Sequence, residues 1–465
     1  MGHQKSRTNA NWTVLSEIGP SPAWSGVALL SEKSSITSAA RSIELDRRAL
    51  TILRQNEWGG YTLPTRGLYP YQWNWDSMFV ALGFAEFDLE RAWTEVETLF
   101  EGQWANGMAA HIVFRKDDPS YFPGPSIWQA EGSELPTSGC SQPPVASSVV
   151  RDLYEKDPAV GQEYLEKLFP KLMAWHRWFH TMRVISGGAA IAVTHPWESG
   201  RDNSPDWDAA LANVDPTGIA TYTRRDTGHV DAAMRPTSAE YDRYLKLVEY
   251  GRQTGWDHAH ITREGPFAVA DPGVTFILMR ADRDLKALAL VLGKEGSARE
   301  IETWLYHSEE AADYLWCEEL GAYAARDLRT DQPATGVSSV AFLSYYAGMS
   351  VPRRDAKLQH TLRRILNAAP YSLPSFDPEH SRFDSRRYWR GPAWAVVNFL
   401  AARGLAEYGF AAKAERIRGD TRRMIQKSGF FEYFDPLTGA GAGGDNFAWT
   451  AAMWLCWASP TTDVS

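Results

Sequence analysis

One stretch of the chain combines carboxylates with tryptophans. Residues 195–208, HPWESGRDNSPDWD, hold four acids and two indoles: Glu198, Asp202, Asp206, Asp208, Trp197 and Trp207. Pro196, Gly200 and Pro205 oppose a regular helix or strand there. An indole face can cover a pyranose ring while carboxylates bind its hydroxyls or donate a proton. The stretch therefore predicts a sugar-binding loop.

A second acid lies in a similar aromatic setting near the end of the chain. Glu432 belongs to residues 429–449, GFFEYFDPLTGAGAGGDNFAW, where aromatic residues flank it on both sides. Glycoside hydrolysis needs two such carboxyl groups, one protonated to assist the leaving group and one ionised to activate water. Apolar surroundings raise a carboxyl pKa and favour the acid role. The residues alone do not assign the two roles to Asp202 and Glu432.

Two further loops carry polar groups suited to a polyol. Residues 67–79, GLYPYQWNWDSMF, place Tyr69, Trp73 and Asp76 just before an apolar run. Asp76 is either the N-cap of the following helix or an acceptor for sugar hydroxyls beside an aromatic wall. Gln142 precedes a double proline, and its amide can both donate and accept hydrogen bonds.

Arginines and aromatic residues meet in two other segments. Arg235 and Tyr241 lie in residues 229–244, HVDAAMRPTSAEYDRY, where Arg235 taken alone would be expected at the surface. Residues 383–399, FDSRRYWRGPAWAVVNF, hold the aromatic residues Tyr388, Trp389 and Trp394 and the arginines Arg386, Arg387 and Arg390. Three arginines there would be costly in a core. They fit an active-site rim that binds a carboxylate or stabilises the acids.

The composition limits the class of protein. A net charge of −9 argues against a nucleic-acid partner, and no apolar run is long enough to span a membrane. The three cysteines show no metal-ligand spacing and are too few for a disulfide framework. The N-terminal residues lack the apolar segment of a signal peptide. We expect a cytoplasmic protein with a small-molecule partner, no metal and no cofactor.

Helical periodicity recurs along the whole chain. In residues 159–182 the apolar positions follow an i, i+3, i+4, i+7 pattern, and about a dozen segments of this kind predict an all-α fold. Evenly distributed helix hairpins suggest a single toroid of helix pairs over residues 35–460, after an N-terminal extension of residues 1–34. In such a toroid the loops at one end line a central pocket. The loops rich in Gly, Pro, Trp and Asp are residues 61–76, 118–144, 195–208, 376–394 and 429–446.

Taken together, the motifs resemble glycoside hydrolase family 63. ESGRD at 198–202 resembles a signature of the clan of inverting α-glycosidases that also includes trehalases, and four more family elements follow the expected order: WNWDS at 73–77, SQPP at 141–144, YWRGPAW at 388–394 and FFEYFDP at 430–436. The resemblance covers about residues 35–460. It implies an (α/α)6 barrel and single-displacement hydrolysis with inversion.

The resemblance also implies roles for individual residues. Asp202 would be the general acid and Glu432 the general base, and the sugar would be surrounded by Trp73, Asp76, Gln142, Trp389 and Trp394. The most similar members are the short mannosylglycerate and glucosylglycerate hydrolases. Their glycerate carboxylate needs cationic or hydroxyl partners, for which Arg235, Tyr241 and Tyr388 are the candidates.

Two other functions remain open at this point. One is hydrolysis of a neutral α-glucoside on the same fold, and the other is a non-catalytic carbohydrate-binding protein. No residue pattern distinguishes glucose from mannose, which differ in the orientation of the C2 hydroxyl, and a homo-oligomeric state is also left open.

Overall fold

The computed structural model describes residues 32–185 and 190–463, and helices dominate this part of the chain. The helices are α1 Glu32–Asn56, α2 Asn74–Phe84, α3 Leu89–Glu101, α4 Pro125–Trp128, α5 Ala146–Lys156, α6 Pro158–Met182, α7 Asp208–Ala212, α8 Asp226–His229, α9 Ser238–Gln253, α10 His258–Glu264, α11 Pro272–Val291, α12 Glu295–Leu315, α13 Leu343–Tyr346, α14 Pro352–Ala368, α15 Ala395–Glu407, α16 Ala411–Ser428 and α17 Ala448–Met453. A 3-10 turn precedes α13, and a π-turn continues α17.

Six of these helices form a closed inner ring. Helix α2 packs against α5, α5 against α11, α11 against α13, α13 against α15, α15 against α17, and α17 returns to α2. The helices α1, α3, α6, α12, α14 and α16 alternate with them along the chain and form the outer layer. The arrangement is an (α/α)6 barrel, which confirms the predicted fold class.

The sequence of each layer suits its position. All residues of inner helix α2 are buried, because it packs against both ring neighbours and an outer helix. Outer helix α6 instead buries one apolar stripe, as expected for a helix with one face toward solvent. Helix starts are marked by caps: Asp157 and Asp271 each accept two backbone N–H bonds, and a proline follows each.

The connections differ strongly in length between the two ends of the barrel. Inner helices lead to the next outer helix through short turns, such as residues 85–88 and 408–410. Outer helices lead to the next inner helix through long loops. The predicted Gly-, Pro- and Trp-rich loops all lie at this second end, so they gather around the N-termini of the inner helices.

Short antiparallel strands brace these long loops. The pairs are β1 Glu57–Trp58 with β2 Tyr61–Thr62, β3 Gln72–Trp73 with β4 Ile112–Val113, β7 Trp316–Cys317 with β8 Ala322–Tyr323, and β11 Tyr433–Phe434 with β12 Gly441–Ala442. A four-stranded sheet has the order β10 Gln332–Pro333, β9 Arg326–Asp327, β6 Val269–Ala270 and β5 Ala192–Val193.

The predicted N-terminal extension, residues 1–34, lies outside the described residues except for the first residues of α1. The division at residue 34 therefore stays a prediction. Among the described residues, no helix has the length and apolar character needed to cross a membrane. The described residues also contain no group of three or more His, Cys, Asp or Glu placed to hold a metal ion.

Candidate active site

The long loops enclose a cavity at the N-terminal ends of the inner helices. Ten of the predicted site residues line it: Tyr69, Trp73, Asp76, Gln142, Asp202, Arg235, Tyr241, Tyr388, Trp389 and Glu432. Trp394 does not line the cavity. Its ring stacks on that of Trp389, with centroids 3.8 Å apart and planes 2° apart, so it supports the indole that faces the cavity.

Glu432 is held by four hydrogen-bond donors. It immediately precedes the β11–β12 hairpin. Its Oε1 accepts a bond from the Tyr69 hydroxyl at 2.9 Å and from Arg235 Nη1 at 3.3 Å. Its Oε2 accepts from Arg235 Nη2 at 2.9 Å and from the Gly444 backbone N–H at 3.0 Å. Charge-assisted bonds of this kind stabilise the ionised carboxylate.

Asp202 has the contrasting environment. Its carboxyl group forms no ion pair within the described part of the chain, and burial raises its pKa from 3.8 to about 7. The positive charge of Arg235 acts in the opposite direction, whereas the charges of Glu432 and Asp226 add to the increase. Asp202 therefore keeps a proton up to about neutral pH, as a general acid must.

The backbone around Asp202 is fixed from two sides. The Tyr244 hydroxyl donates to the Asp202 carbonyl oxygen at 2.8 Å, and Trp207 Nε1 donates to the Arg201 carbonyl oxygen at 2.7 Å. Gly200 has φ +68°, and a Cβ atom there would lie 2.6 Å from the Trp75 ring. Only glycine fits this turn, which explains one residue of the ESGRD motif.

Asp76 faces the cavity and does not cap helix α2. The N-cap of that helix is Trp73, which makes no side-chain capping bond. Burial raises the pKa of Asp76 well above its usual value, and the nearby carboxylates Glu432 and Asp202 add to the increase. The cap interpretation is therefore wrong, and the second interpretation, a group facing the sugar, is consistent with its position.

The other three acids of residues 195–208 neutralise buried arginines. Glu198 is fully buried and bonds Arg183, also buried, at 2.9 Å. Burial by itself would raise the pKa of Glu198, but the charge and hydrogen bonds of Arg183 and the Thr194 backbone N–H together lower it. Asp206 pairs with Arg201 at 2.8 Å, and Asp208 binds both Nη atoms of Arg390.

The other two arginines of residues 383–399, Arg386 and Arg387, do not line the cavity. Arg387 pairs with Glu240 at 2.9 Å on helix α9, and Arg386 is exposed. Of the two roles expected for these arginines, stabilising acidic residues is the one that the contacts of Arg387 and Arg390 fulfil. Arg235, by contrast, lines the cavity and is 2% exposed instead of lying at the surface.

Part of the hydrogen-bonding capacity of Gln142 is used within the protein. Its Oε1 accepts a bond from the Trp75 backbone N–H at 3.1 Å. The second lone pair of this oxygen and the amide NH2 group are left for a ligand. The expectation that this amide both donates and accepts toward a sugar therefore stays a prediction.

Several cavity residues escaped the sequence-based selection: His111, Tyr121, Trp128, Arg225, Asp226 and Trp449. Trp197, which the sequence analysis named together with the acids, also lines the cavity. The centre of its ring lies 4.4 Å from that of His195 and 6.1 Å from that of His111. Burial lowers the pKa of His195 to about 4, so its ring is neutral at neutral pH. The position of Trp128 inside the loop 118–144 could have indicated it, but no local pattern marks His111.

The chain matches a family model and is similar to hydrolases of known substrate. The family model described as "Mannosylglycerate hydrolase MGH1-like glycoside hydrolase domain" matches residues 69–450. The mannosylglycerate hydrolase MGH1 of Selaginella moellendorffii is 46% identical over 423 residues, which cover 90% of this chain and 86% of the relative. The glucosylglycerate hydrolase of Mycolicibacterium hassiacum is 33% identical over 446 residues, covering 89% of this chain and 97% of the relative.

A solved structure shows the same fold. It is the family 63 mannosylglycerate hydrolase from Thermus thermophilus in complex with Tris and D-glycerate. Its TM-score with this chain is 0.85 at 44% identity, over 89% of this chain and 99% of that one.

Proposed function

This chain belongs to the MGH1-like glycoside hydrolases of family 63, and on that premise we propose that it hydrolyses an α-glycoside of glycerate to hexose and glycerate. It is an O-glycosyl hydrolase with an (α/α)6 barrel. The substrates named for its relatives, mannosylglycerate and glucosylglycerate, are the two candidates. The relative named for mannosylglycerate is the more similar, so this compound is the first to assay.

The observation that carries the proposal is the contrast between the two acids in one cavity. Asp202 lacks an ion-pair partner among the described residues and has its pKa raised to about 7, which suits a proton donor. Glu432 is bound by Arg235, Tyr69 and the Gly444 N–H, which suits an ionised base. We assign the general acid to Asp202 and the general base to Glu432.

The reaction follows from these assignments. Glu432 takes a proton from a water molecule as its oxygen attacks the anomeric carbon. Asp202 protonates the glycosidic oxygen as the bond to the aglycone breaks. A single displacement at an α-glycoside releases the β-anomer. Trp73 and Trp389 offer aromatic faces, and Asp76 and Gln142 offer polar groups, for the sugar.

The aglycone carboxylate is assigned to the cationic side of the cavity. Arg235 lines it together with Tyr241 and Tyr388, and its guanidinium lies 4.7 Å from the centre of the Tyr388 ring. A buried guanidinium beside hydroxyl groups is a suitable partner for a carboxylate. These three residues are the proposed glycerate site.

A product assay tests the proposal. The protein is incubated with mannosylglycerate, glucosylglycerate and trehalose, and the released hexose is followed by NMR. We expect cleavage of a glycerate glycoside with the β-anomer appearing first. Initial α-anomer would refute the single displacement, and cleavage of trehalose alone would favour a neutral α-glucoside as substrate. Absence of any cleavage would leave a carbohydrate-binding protein.

A cytoplasmic location remains a prediction, which cell fractionation would test. The oligomeric state is left open, and light scattering would determine it.

A further inference from the structure

The general base has no free acceptor position in this structure. A carboxylate offers about four acceptor positions on its two oxygens. Glu432 uses them for Tyr69, for two nitrogens of Arg235 and for the Gly444 N–H. A base must accept a proton from water, so one of these donors has to withdraw before the reaction.

The three donor groups differ in how easily they can leave. The Gly444 N–H is fixed, because Gly444 also accepts a backbone bond from Glu432 at 2.8 Å. Tyr69 is a neutral phenol that an anion attracts weakly. Arg235 carries a full charge, and its contact with Oε1 is the longest of the four at 3.3 Å.

Arg235 also has spare capacity for another anion. Its Nε–H is buried and has no hydrogen-bond partner within the described part of the chain. Arg235 lines the cavity and is almost completely buried, so a group that binds in the cavity can contact its guanidinium. A buried donor without a partner is unfavourable, and an incoming carboxylate would supply the missing acceptor.

We propose that the carboxylate of the aglycone activates the base by drawing Arg235 away from Glu432. The anion pairs with the guanidinium, Glu432 loses one or both of its Arg235 bonds, and a water molecule takes the vacated acceptor position. Arg235 is then a positioning residue that couples the charge of the aglycone to catalysis. The inference rests on the proposed function, because it requires an anionic aglycone.

The reaction balances without a further reactant. Water gives its oxygen to the anomeric carbon and one proton to Glu432, the carbon–oxygen bond to glycerate breaks, and the glycerate oxygen takes the Asp202 proton. Both acids return to their starting states by exchange with solvent. With a glycosyl fluoride the leaving group departs as fluoride ion and needs no proton, so the Glu432 step is observed alone.

The test separates the aglycone from the sugar. The wild-type protein is given α-mannosyl or α-glucosyl fluoride, and fluoride release is measured with increasing free D-glycerate or with glycerol, its uncharged analogue. We expect D-glycerate to raise kcat in a saturable manner by at least about fivefold, the lower range of typical couplings. Glycerol should have no such effect. Unchanged or reduced kcat with D-glycerate would overturn the proposal, and this comparison needs no variant.

Two variants locate the effect. Arg235→Ala should abolish activation by D-glycerate. Arg177→Ala, which removes an arginine paired with Glu300 through two bonds of 2.7 Å at the surface, should retain it. Activation that survives in Arg235→Ala would exclude Arg235 as the coupling residue.

The proposed function is judged separately, by cleavage of mannosylglycerate or glucosylglycerate in the wild-type protein. If a glycerate glycoside is cleaved without activation of fluoride hydrolysis, the function stands and the coupling fails. If fluoride hydrolysis is activated but no glycerate glycoside is cleaved, the coupling stands and the assigned substrate fails.

Discussion

Removing the Asp202 proton, by raising the pH or by substitution, should lower the kcat/KM of glycoside cleavage. The pKa of Asp202 is raised to about 7, chiefly by burial, so the protonated form that can act as an acid persists to about neutral pH. Because only the protonated form assists the leaving group, kcat/KM should fall as the pH rises through about 7. The sign is the opposite for a base, which loses activity as the pH falls.

The size of the effect follows from the same value. With a pKa of about 7, roughly nine-tenths of the groups carry a proton at pH 6 and roughly one-tenth at pH 8. Each further pH unit should lower kcat/KM about tenfold. Asp202→Asn cannot donate the proton and should lose about 10²- to 10⁴-fold, the usual contribution of general acid catalysis.

The assay compares two substrates in one protein. The kcat/KM for mannosylglycerate is measured from pH 5 to 9 beside that for α-mannosyl fluoride, whose leaving group needs no proton. The alkaline decline should appear with the first substrate only, and Asp202→Asn should retain most of its activity on the fluoride. Asp242→Asn is the matched control, since Asp242 bonds the Tyr222 hydroxyl and does not line the cavity.

Two results would refute the assignment. One is an alkaline decline of equal size with the fluoride, which would place the titrating group in another step. The other is an Asp202→Asn protein that cleaves mannosylglycerate at the wild-type rate.

Three more predictions concern buried residues that do not line the cavity. Tyr244→Phe removes the bond to the Asp202 carbonyl and should lower kcat about 5- to 30-fold with KM little changed, as steady-state kinetics would show. Glu198→Gln leaves the charge of Arg183 buried without its counter-charge and should destabilise the fold by about 3–5 kcal/mol in urea unfolding; a change under about 0.5 kcal/mol would contradict this. The pKa of Asp282 is lowered by its two histidine partners despite burial, so wild-type stability should fall below about pH 4, whereas Asp282→Asn should be less stable than wild type at neutral pH and lose less on acidification.

The barrel could be predicted because its signal is local. Each long helix carries its own apolar periodicity, and the predicted segment at 159–182 matches α6, Pro158–Met182, within a residue at each end. The ring member α13, Leu343–Tyr346, is only four residues long. The 3-10 turn Ser339–Phe342 directly before it lengthens this buried apolar segment. The closure of the ring depends on contacts between α2 and α17, which are far apart in sequence. The even distribution of helix hairpins suggested a toroid, and the resemblance to family 63 implied that it has six pairs.

The site was predicted less completely, because side-chain partners are chosen in three dimensions. Arg235 and Glu432 are 197 positions apart, and no local pattern in either segment predicts that they form an ion pair. Trp394 belongs to the same motif as Trp389, but its ring stacks on the Trp389 ring and does not line the cavity. Asp76 has the position of an N-cap in sequence, yet its carboxyl group faces the cavity.

The roles proposed for the two acids follow from the donors around them and not from their place in the barrel. Both lie at the end where the inner helices begin, and the positive ends of helix dipoles favour ionised carboxylates there. If position decided, both groups would be bases. Four donors hold Glu432, whereas Asp202 has no ion-pair partner among the described residues and burial dominates its pKa. We therefore propose that the donors supplied or withheld by each loop, and not the position of the loop in the barrel, select the acid and the base among the carboxyl groups of the cavity.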